Sequence, residues 1–192
     1  MAKKPVLKLQ YNSPVILTFA LAALLVLILG WWTDGATTDL FFCVYRAPLT
    51  DPLTWLRLFT HVLGHVGYAH FMSNMTLLLV IGPPLEERYG SQRLFICILV
   101  TALVSGIVQF LLFPQTALLG GSGIVFMLIL LSSLSGMGKG TIPVTFLLVA
   151  VIYLGGEVLD AVSALDNVSQ LTHVVGGVCG AVLGLAMRHK KF

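Results

Sequence analysis

The sequence predicts an all-α membrane protein, a single domain over residues 1–192 with six transmembrane helices. Hydrophobic residues make up 57% of the 192 residues and charged residues only 10%, and the mean hydropathy is +0.96. Soluble domains average about 25% charged residues, so a soluble fold would have to expose much of this apolar surface to water. The apolar residues fall in runs of helical length, with the basic residues at their ends. We therefore expect one compact membrane domain.

The first helix has signals at both of its ends. Ser13-Pro14, a cap followed by a first-turn proline, begins the apolar run, and the pair Trp31-Trp32 ends it at a membrane interface. No small-residue cleavage pattern follows, so we predict a retained helix instead of a secretory signal. A polar, proline-containing stretch over residues 33–60 comes next.

The remaining helices are bounded mainly by proline and glycine. Gly82-Pro83-Pro84 is predicted to end the second helix, because proline cannot continue the hydrogen-bond ladder, and Pro114 closes the third. The fourth begins at a glycine-rich turn, and the fifth and sixth are further apolar runs. The predicted helices cover residues 14–32, 68–81, 92–113, 122–136, 141–154 and 171–187.

The basic residues predict the orientation, because cytoplasmic loops are rich in Lys and Arg. With the N-terminus inside, nine of the 11 Lys and Arg residues lie on the cytoplasmic side, and only Arg46 and Arg57 lie outside. We therefore predict a multi-pass protein of the plasma or inner membrane with both termini in the cytoplasm. The basic residues form no stripe, so no nucleic-acid partner is expected.

This orientation brings four polar residues to one depth in the membrane. The second, fourth and sixth helices all begin at the outer face, and His70 and Asn74, Ser122, and His173 lie near those three beginnings. Polar and ionisable residues within spans are rare and usually functional. Their convergence, inferred from hydropathy and charge alone, predicts a site that opens to the outer face.

Ser122 lies in the sequence Gly-Gly-Ser-Gly at the start of a short helix. Gly120 and Gly123 permit a tight turn, and the N–H groups of a first helical turn have no partner within the helix. Such a turn presents a nucleophile and an anion-stabilising donor together. Taken alone, the motif is also typical of a packing turn with a helix-capping serine.

His173 shares a helix face with Gly176, Gly180 and Gly184, which follow at offsets of three, seven and eleven. This ridge of small residues lets another helix approach closely. If that helix is the fourth, a neutral imidazole reaches the Ser122 hydroxyl and can take its proton. The alternative is a histidine hydrogen-bonded across a helix interface.

His70 and Asn74 lie one helical turn apart and can donate hydrogen bonds to a developing oxyanion, each typically worth about 2.7–4 kcal/mol. His61 and His65 precede them, and three histidines within ten residues can also bind Zn²⁺. However, no Glu lies between His61 and His65, as the zinc-protease helix pattern requires, and no carboxylate or Cys is close in sequence. We expect no metal and no cofactor.

Together these motifs resemble the rhomboid family of intramembrane serine proteases. The resemblance runs along nearly the whole chain, and its motifs occur in the family's order. They are Arg57 before the second helix, the His61, His65, His70 and Asn74 spacing, Gly82 and Gly90 flanking Glu86 and Arg88, the turn of Gly120 to Gly123, and His173 with Gly176 and Gly180.

The resemblance implies a six-helix rhomboid-like bundle with a Ser122–His173 dyad and no third acidic member. It implies an oxyanion site formed by Asn74, His70 and the Ser122 backbone N–H. It further implies a membrane-immersed loop between the first two helices, an outward-opening cavity, and gating by the fifth helix. Family members cut transmembrane protein substrates within the lipid bilayer, without metal or ATP. The sequence leaves the oligomeric state open.

Two positions depart from the family pattern. Leu56 stands before Arg57 where many members have Trp, a change expected to loosen the loop. Phe126 stands where a Tyr often stacks on the catalytic histidine, so the aromatic face is expected to remain without its hydroxyl. The acidic and basic residues at 86–88 lie across the membrane from Ser122, so we predict a structural, ion-paired turn there.

Two other functions fit parts of the sequence. A catalytically inactive rhomboid-like protein would bind transmembrane clients without cutting them, but it would need none of the four convergent polar residues. A metal-binding or transport protein would explain the histidines of the second helix, but it leaves the pairing of Ser122 with His173 unexplained.

Overall fold

The computed structural model describes residues 10–137, 141–154 and 168–187. Within these ranges the chain is helical, no strand occurs, and extended pairing is limited to a two-residue bridge between Val44 and Leu118. The predicted all-α class is therefore confirmed for the described residues. Several basic residues used for the orientation, at 1–9, 139 and 188–192, lie outside them.

Four long helices, one shorter core helix and several short helical segments make up the described structure. They are α1 (Pro14–Trp32), α2 (Ala36–Phe41), α3 (Pro52–Thr60), a 3₁₀ turn (His61–Leu63), α4 (Tyr68–Tyr89), α5 (Ser91–Leu112), α6 (Ser122–Leu134), α7 (Val144–Val149), a π-helical turn (Ala150–Leu154) and α8 (Val168–Met187).

A carboxylate from α4 caps the N-terminus of α1. Ser13, the cap residue by position, is left-handed at φ 54° and its side chain makes no capping hydrogen bond. Instead, the two carboxylate oxygens of Glu86 accept hydrogen bonds from Val15 N and Ile16 N, each at 3.0 Å. The role of Glu86 is structural, as expected, but its partners are backbone N–H groups and not a basic side chain. An anion is favoured there because the first turn of a helix has unpaired N–H groups.

The second predicted helix does not end at Gly82-Pro83-Pro84. α4 continues through both prolines to Tyr89, so the predicted boundary at residue 81 is wrong. The prolines remove two ladder hydrogen bonds, but contacts with α1 hold the helix on both sides of them. A Cβ atom at Gly82 would lie 2.5 Å from the Ile16 Cδ1 atom, and the carboxylate that caps α1 lies two residues beyond the second proline.

The other predicted helices need smaller corrections. α1 has the predicted bounds, α5 is shifted by one residue at each end, and α6 ends at Leu134 instead of residue 136. α8 begins at Val168, earlier than the predicted residue 171. The helix predicted over 141–154 begins only at Val144, because Pro143 takes the extended cap position, and it becomes π-helical from Ala150.

The polar stretch after α1 contains two helices, α2 and α3, that were not predicted. Asp51 caps α3 by accepting a hydrogen bond from Leu53 N at 2.9 Å, and Pro52 follows it. An acidic cap with a first-turn proline is a helix-start signal. The sequence therefore carried the signal for α3, which the surrounding polar residues obscured.

A buried arginine ties this segment together. The Arg57 side chain is 3% exposed, its Nε donates to Leu40 O at 2.8 Å, and its guanidinium forms an ion pair with Asp51 at 3.4 Å. The guanidinium carbon also lies 4.6 Å from the centre of the Tyr45 ring. Leu56, the preceding residue, takes no part in these contacts and is 43% exposed.

The helices α1 and α5 are long and apolar enough to cross a membrane, by length and composition alone. α6 and the 171–187 part of α8 are also apolar but shorter. Large apolar side chains also cover the outside of the described helices: Leu25 is 57% exposed, Leu111 58% and Val182 59%. The count of six crossings stays a prediction.

α6 is the central helix of the described structure. Nine of its 13 residues are buried, and Ile124, Leu128 and Leu131 are fully inaccessible. A helix buried on all sides is apolar all round, which is why this short segment has no polar face. Its N-terminal residue, Ser122, is therefore anchored to the rigid centre of the fold.

Candidate active site

Glycines bring the backbones of α6 and α8 into direct contact. A Cβ atom at Gly176 would overlap the carbonyl oxygen of Gly123, and one at Gly180 would overlap the carbonyl oxygen of Met127. Helices approach this closely only where the residues between them are small. The neighbour of the glycine ridge, which the sequence left open, is therefore α6.

The two helices run parallel, so their N-terminal ends stand side by side. The contacts advance together along both helices, with Gly184 packing on Leu131 and Leu134 one turn beyond the others. Ser122 is the first residue of α6, and His173 lies in the second turn of α8. The same glycine packing thus brings the serine and the histidine to one end of the helix pair.

A cavity of about 660 Å³ opens beside this end. Its apolar lining comes from Val66 just before α4, from α4 and α6, and from the loop at 117–119. Its polar lining consists of His70, Ser73, Asn74, Thr116, Ser122 and His173. The structure therefore places all four residues predicted to converge around one cavity, although they belong to three helices.

The His173 imidazole stacks on an aromatic ring. The ring centres of Phe126 and His173 are 4.3 Å apart and their planes differ by 4°. Phe126 lies one turn after Ser122 on α6, so the stack orients the histidine from the same helix that bears the serine. Aromatic pairs contribute about 0.5–1.5 kcal/mol beyond area burial. The aromatic face expected at this position is present, without a hydroxyl.

Asn74 lines the cavity and carries a buried hydrogen-bond donor. The residue is 6% exposed, and its Nδ2 atom has no hydrogen-bond acceptor in the part of the chain that the structure describes. Leaving a buried donor unpaired costs about 1–3 kcal/mol, and such groups in native proteins call for a functional or structural reason. A ligand oxygen in the cavity would supply the acceptor.

The turn before Ser122 depends on a glycine. Gly120 has φ +135°, which side chains rarely adopt, and a Cβ atom there would lie 3.0 Å from His70 Nε2 and 3.9 Å from Ser122 Oγ. The absence of a side chain lets the His70 ring lie directly against this turn. His70 and Ser122 therefore flank the same stretch of backbone.

His61 and His65 are buried and do not line the cavity. His61 Nδ1 donates to Arg57 O at 3.1 Å, and its Nε2 lies 3.3 Å from Ser105 Oγ. Burial lowers the pKa of His61 to about 4. Burial, together with the neighbouring His70, also lowers the pKa of His65 to about 4. Both rings are therefore neutral at neutral pH.

The histidines of this region do not share a coordination centre. No group of three or more His, Cys, Asp or Glu side chains is arranged to hold a metal ion within the described ranges. The ring nitrogens of His61 bond to Arg57 O and Ser105 Oγ, and those of His65 bond to backbone groups.

Ser73 and Thr116 line the cavity but were not predicted. Ser73 lies three residues after His70, and its hydroxyl donates to His70 O at 3.0 Å, so helical periodicity was a signal for it. Thr116 lies in a loop, where no periodicity applies. Gln109 Nε2 holds this loop by donating to Thr116 O at 3.1 Å.

Comparison with known proteins gives consistent matches. The family model for the Rhomboid domain matches residues 52–190. The chain is 31% identical over 137 residues to rhomboid protease GluP of Bacillus subtilis (strain 168), which covers 68% of this chain and 26% of that protein. It is 29% identical over 154 residues to rhomboid protease GlpG of Serratia proteamaculans (strain 568), covering 78% of this chain and 54% of that protein.

A plant protein is also similar. The chain is 27% identical over 143 residues to rhomboid-like protein 11, chloroplastic, of Arabidopsis thaliana, which covers 67% of this chain and 51% of that protein. The chain thus spans between 26% and 54% of the length of these three relatives.

Proposed function

This chain belongs to the rhomboid family, whose members are membrane proteins, and from that premise we propose that it is an intramembrane serine endopeptidase. Its substrates are the transmembrane segments of other membrane proteins. The observation that carries the proposal is the meeting of Ser122, His173, His70 and Asn74 on one cavity. A protein that only bound its clients would have no use for this set.

Ser122 is the nucleophile and His173 its base. The neutral imidazole takes the proton of Ser122 Oγ as the oxygen attacks the scissile carbonyl carbon. The tetrahedral intermediate then expels the amine, which receives that proton from the histidine, and leaves an acyl-enzyme. Water, deprotonated by the same histidine, hydrolyses the ester and frees the serine. The stack on Phe126 supports this assignment because it orients the imidazole from the same helix that bears the serine.

Asn74, His70 and the Ser122 backbone N–H stabilise the oxyanion. The buried Asn74 Nδ2, which lacks an acceptor within the described chain, supports the role because such a donor is already desolvated and belongs to a residue that lines the cavity. A preorganised donor of this kind typically contributes about 10²–10³-fold to kcat.

We further propose that the protein is one domain of six membrane crossings, with both termini in the cytoplasm of a cell membrane. The cavity then opens to the outer face. The parallel course of α6 and α8 supports this topology, because two helices separated by a single crossing must run in the same direction. No metal or other cofactor takes part in the proposed mechanism.

Cleavage of a fluorogenic transmembrane peptide by the detergent-purified protein tests the proposal. We expect wild type to cleave it, Ser122→Ala and His173→Ala to fall to background, and a metal chelator to change nothing. Activity that survives in Ser122→Ala would contradict the dyad, and sensitivity to the chelator would favour a metal site. A wild type that binds several peptides but cleaves none would be an inactive binder.

A further inference from the structure

We propose that His65 is a positioning residue, whose imidazole holds the turn before Ser122 and thereby sets the geometry of the nucleophile and the oxyanion donors. This inference rests on the proposed function. His65 is buried, at 4% exposure, and does not line the cavity. It therefore acts through its neighbours and not through contact with a substrate.

Two backbone N–H groups of the turn are tied to the segment that contains His65. Gly120 N donates to His61 O at 3.0 Å, and Gly121 N donates to His65 Nε2 at 3.4 Å. The first hydrogen bond within α6 then runs from Val125 N to Gly121 O at 3.0 Å. The N–H groups of residues 122–124, which lie between Gly121 and Val125, have no acceptor in their own helix. Because the hydrogen bonds fix Gly120 and Gly121, they also fix the direction of the N–H groups that follow, beginning with that of Ser122.

The backbone around His65 dictates its tautomer. His65 Nδ1 lies 3.1 Å from Leu63 O, and a carbonyl oxygen can only accept, so Nδ1 carries the proton. A neutral imidazole has one N–H, so Nε2 presents a lone pair. The Gly121 N–H, which can only donate, lies opposite that lone pair. The two hydrogen bonds therefore require each other, and the ring is a fixed spacer between two backbone segments.

His65 also touches the proposed oxyanion donor on α4. Its ring centre lies 5.1 Å from that of His70 and 5.5 Å from that of Phe71, both edge to face. The His70 ring in turn lies against Gly120. One side chain thus contacts the turn that bears the nucleophile and the helix that bears two oxyanion donors. A displacement of about 1 Å at a reacting group can cost 10²-fold in rate.

Two amide substitutions test the two hydrogen bonds of His65 separately. In His65→Gln the side-chain amide reaches the place of Nε2 and still accepts from Gly121 N–H. In His65→Asn the amide reaches only the place of Nδ1, so the bond to Leu63 O is kept and the bond to Gly121 is lost. Both variants are uncharged and polar, which makes them a matched pair.

Steady-state kinetics with the fluorogenic transmembrane peptide tests the inference. We expect kcat to fall about 100-fold in His65→Asn with little change in KM, and to stay within roughly tenfold of wild type in His65→Gln, which loses one ordinary hydrogen bond. A peptide boronate, which forms a tetrahedral adduct with serine, should lose affinity in His65→Asn by the same factor as kcat/KM. The affinity for a cleaved product peptide should not change.

Glu86→Gln is the control for stability, because it weakens the cap of α1 far along α4 from the cavity. We expect it to lower the unfolding temperature without changing kcat. Equal losses of kcat in His65→Asn and His65→Gln, or a His65→Asn variant with wild-type kcat, would overturn the positioning role while wild type remains active. A wild type that cleaves nothing would overturn the proposed function and this inference with it.

A measurement on wild type covers the case in which His65→Asn does not fold. ¹⁵N NMR of histidine-labelled protein in micelles should show His65 protonated at Nδ1 and bare at Nε2. A proton on Nε2 would leave Gly121 N–H without its acceptor and overturn the inference.

Discussion

Buried polar groups at the two ends of α4 differ in their hydrogen bonding. At the C-terminal end, Glu86 is 3% exposed and both of its carboxylate oxygens accept hydrogen bonds from the first turn of α1. At the N-terminal end, Asn74 is 6% exposed and its Nδ2 has no acceptor within the described structure. The carboxylate that caps α1 is thus paired in the resting protein, whereas the amide that we propose as an oxyanion donor has no acceptor in the described structure.

Removing the unpaired amide should give the largest effect. We expect Asn74→Leu to lower kcat by about 10²–10³-fold, because one oxyanion donor is lost, and to leave the unfolding temperature unchanged or raised, because an unsatisfied buried donor disappears. Cleavage of the fluorogenic peptide and thermal unfolding in the same detergent measure the two effects. A clear fall in stability would show that Asn74 is structural, like Glu86.

Removing the paired carboxylate should show the reverse pattern. We expect Glu86→Leu to destabilise the protein by about 1–3 kcal/mol, because two N–H groups of α1 lose charged acceptors, with kcat unchanged below the unfolding temperature. Thermal unfolding and kinetics at a low temperature measure the two quantities. A specific loss of kcat in fully folded protein would contradict the separation of roles.

The neutral, buried histidines are a third kind of buried polar group, and they should make the stability of the protein depend on pH. A pKa near 4 in the folded state, for His61 and for His65, lies below the unfolded value of about 6.5. The unfolded chain therefore binds more protons as the pH falls, so their contribution to stability is complete above pH 6.5 and declines toward pH 4. Between pH 7.5 and 5.5 we expect a loss of about 1 kcal/mol per histidine.

His65→Gln sharpens that test because the amide does not titrate. Between pH 7.5 and 5.5 the variant should lose about 1 kcal/mol less stability than wild type does, as measured by thermal unfolding at both values. An identical pH dependence in the two proteins would contradict the assignment of a neutral, buried His65.

The smallest effect should be the coupling between the two ends of α4. Asn74 and Glu86 are twelve residues apart, about 18 Å along a helix, and share no partner in the described structure. We expect the effects of Asn74→Leu and Glu86→Leu on stability to add within about 0.5 kcal/mol in the double variant. A larger departure would mean that α4 transmits strain between its ends.

Residues that owe their place to helical periodicity were predictable from the sequence. His70 and Asn74 share a face of one helix, and His173 shares a face with Gly176, so their side of each helix follows from spacing alone. The end of α4 was not predictable in this way, because contacts of Gly82 and Glu86 with α1 override the local effect of two prolines.

Composition and residue spacing were enough to predict the helical class, the bounds of α1, α5 and α6 to within two residues, and the four polar residues that meet at the cavity. Hydropathy and helical period are local, so a single chain displays them. Three contacts became known only from the folded structure: α6 packs on the glycine ridge, Glu86 caps α1, and His65 joins Gly121 to Leu63. Each of these contacts joins segments distant in sequence or depends on the orientation of one ring, and no local pattern specifies either.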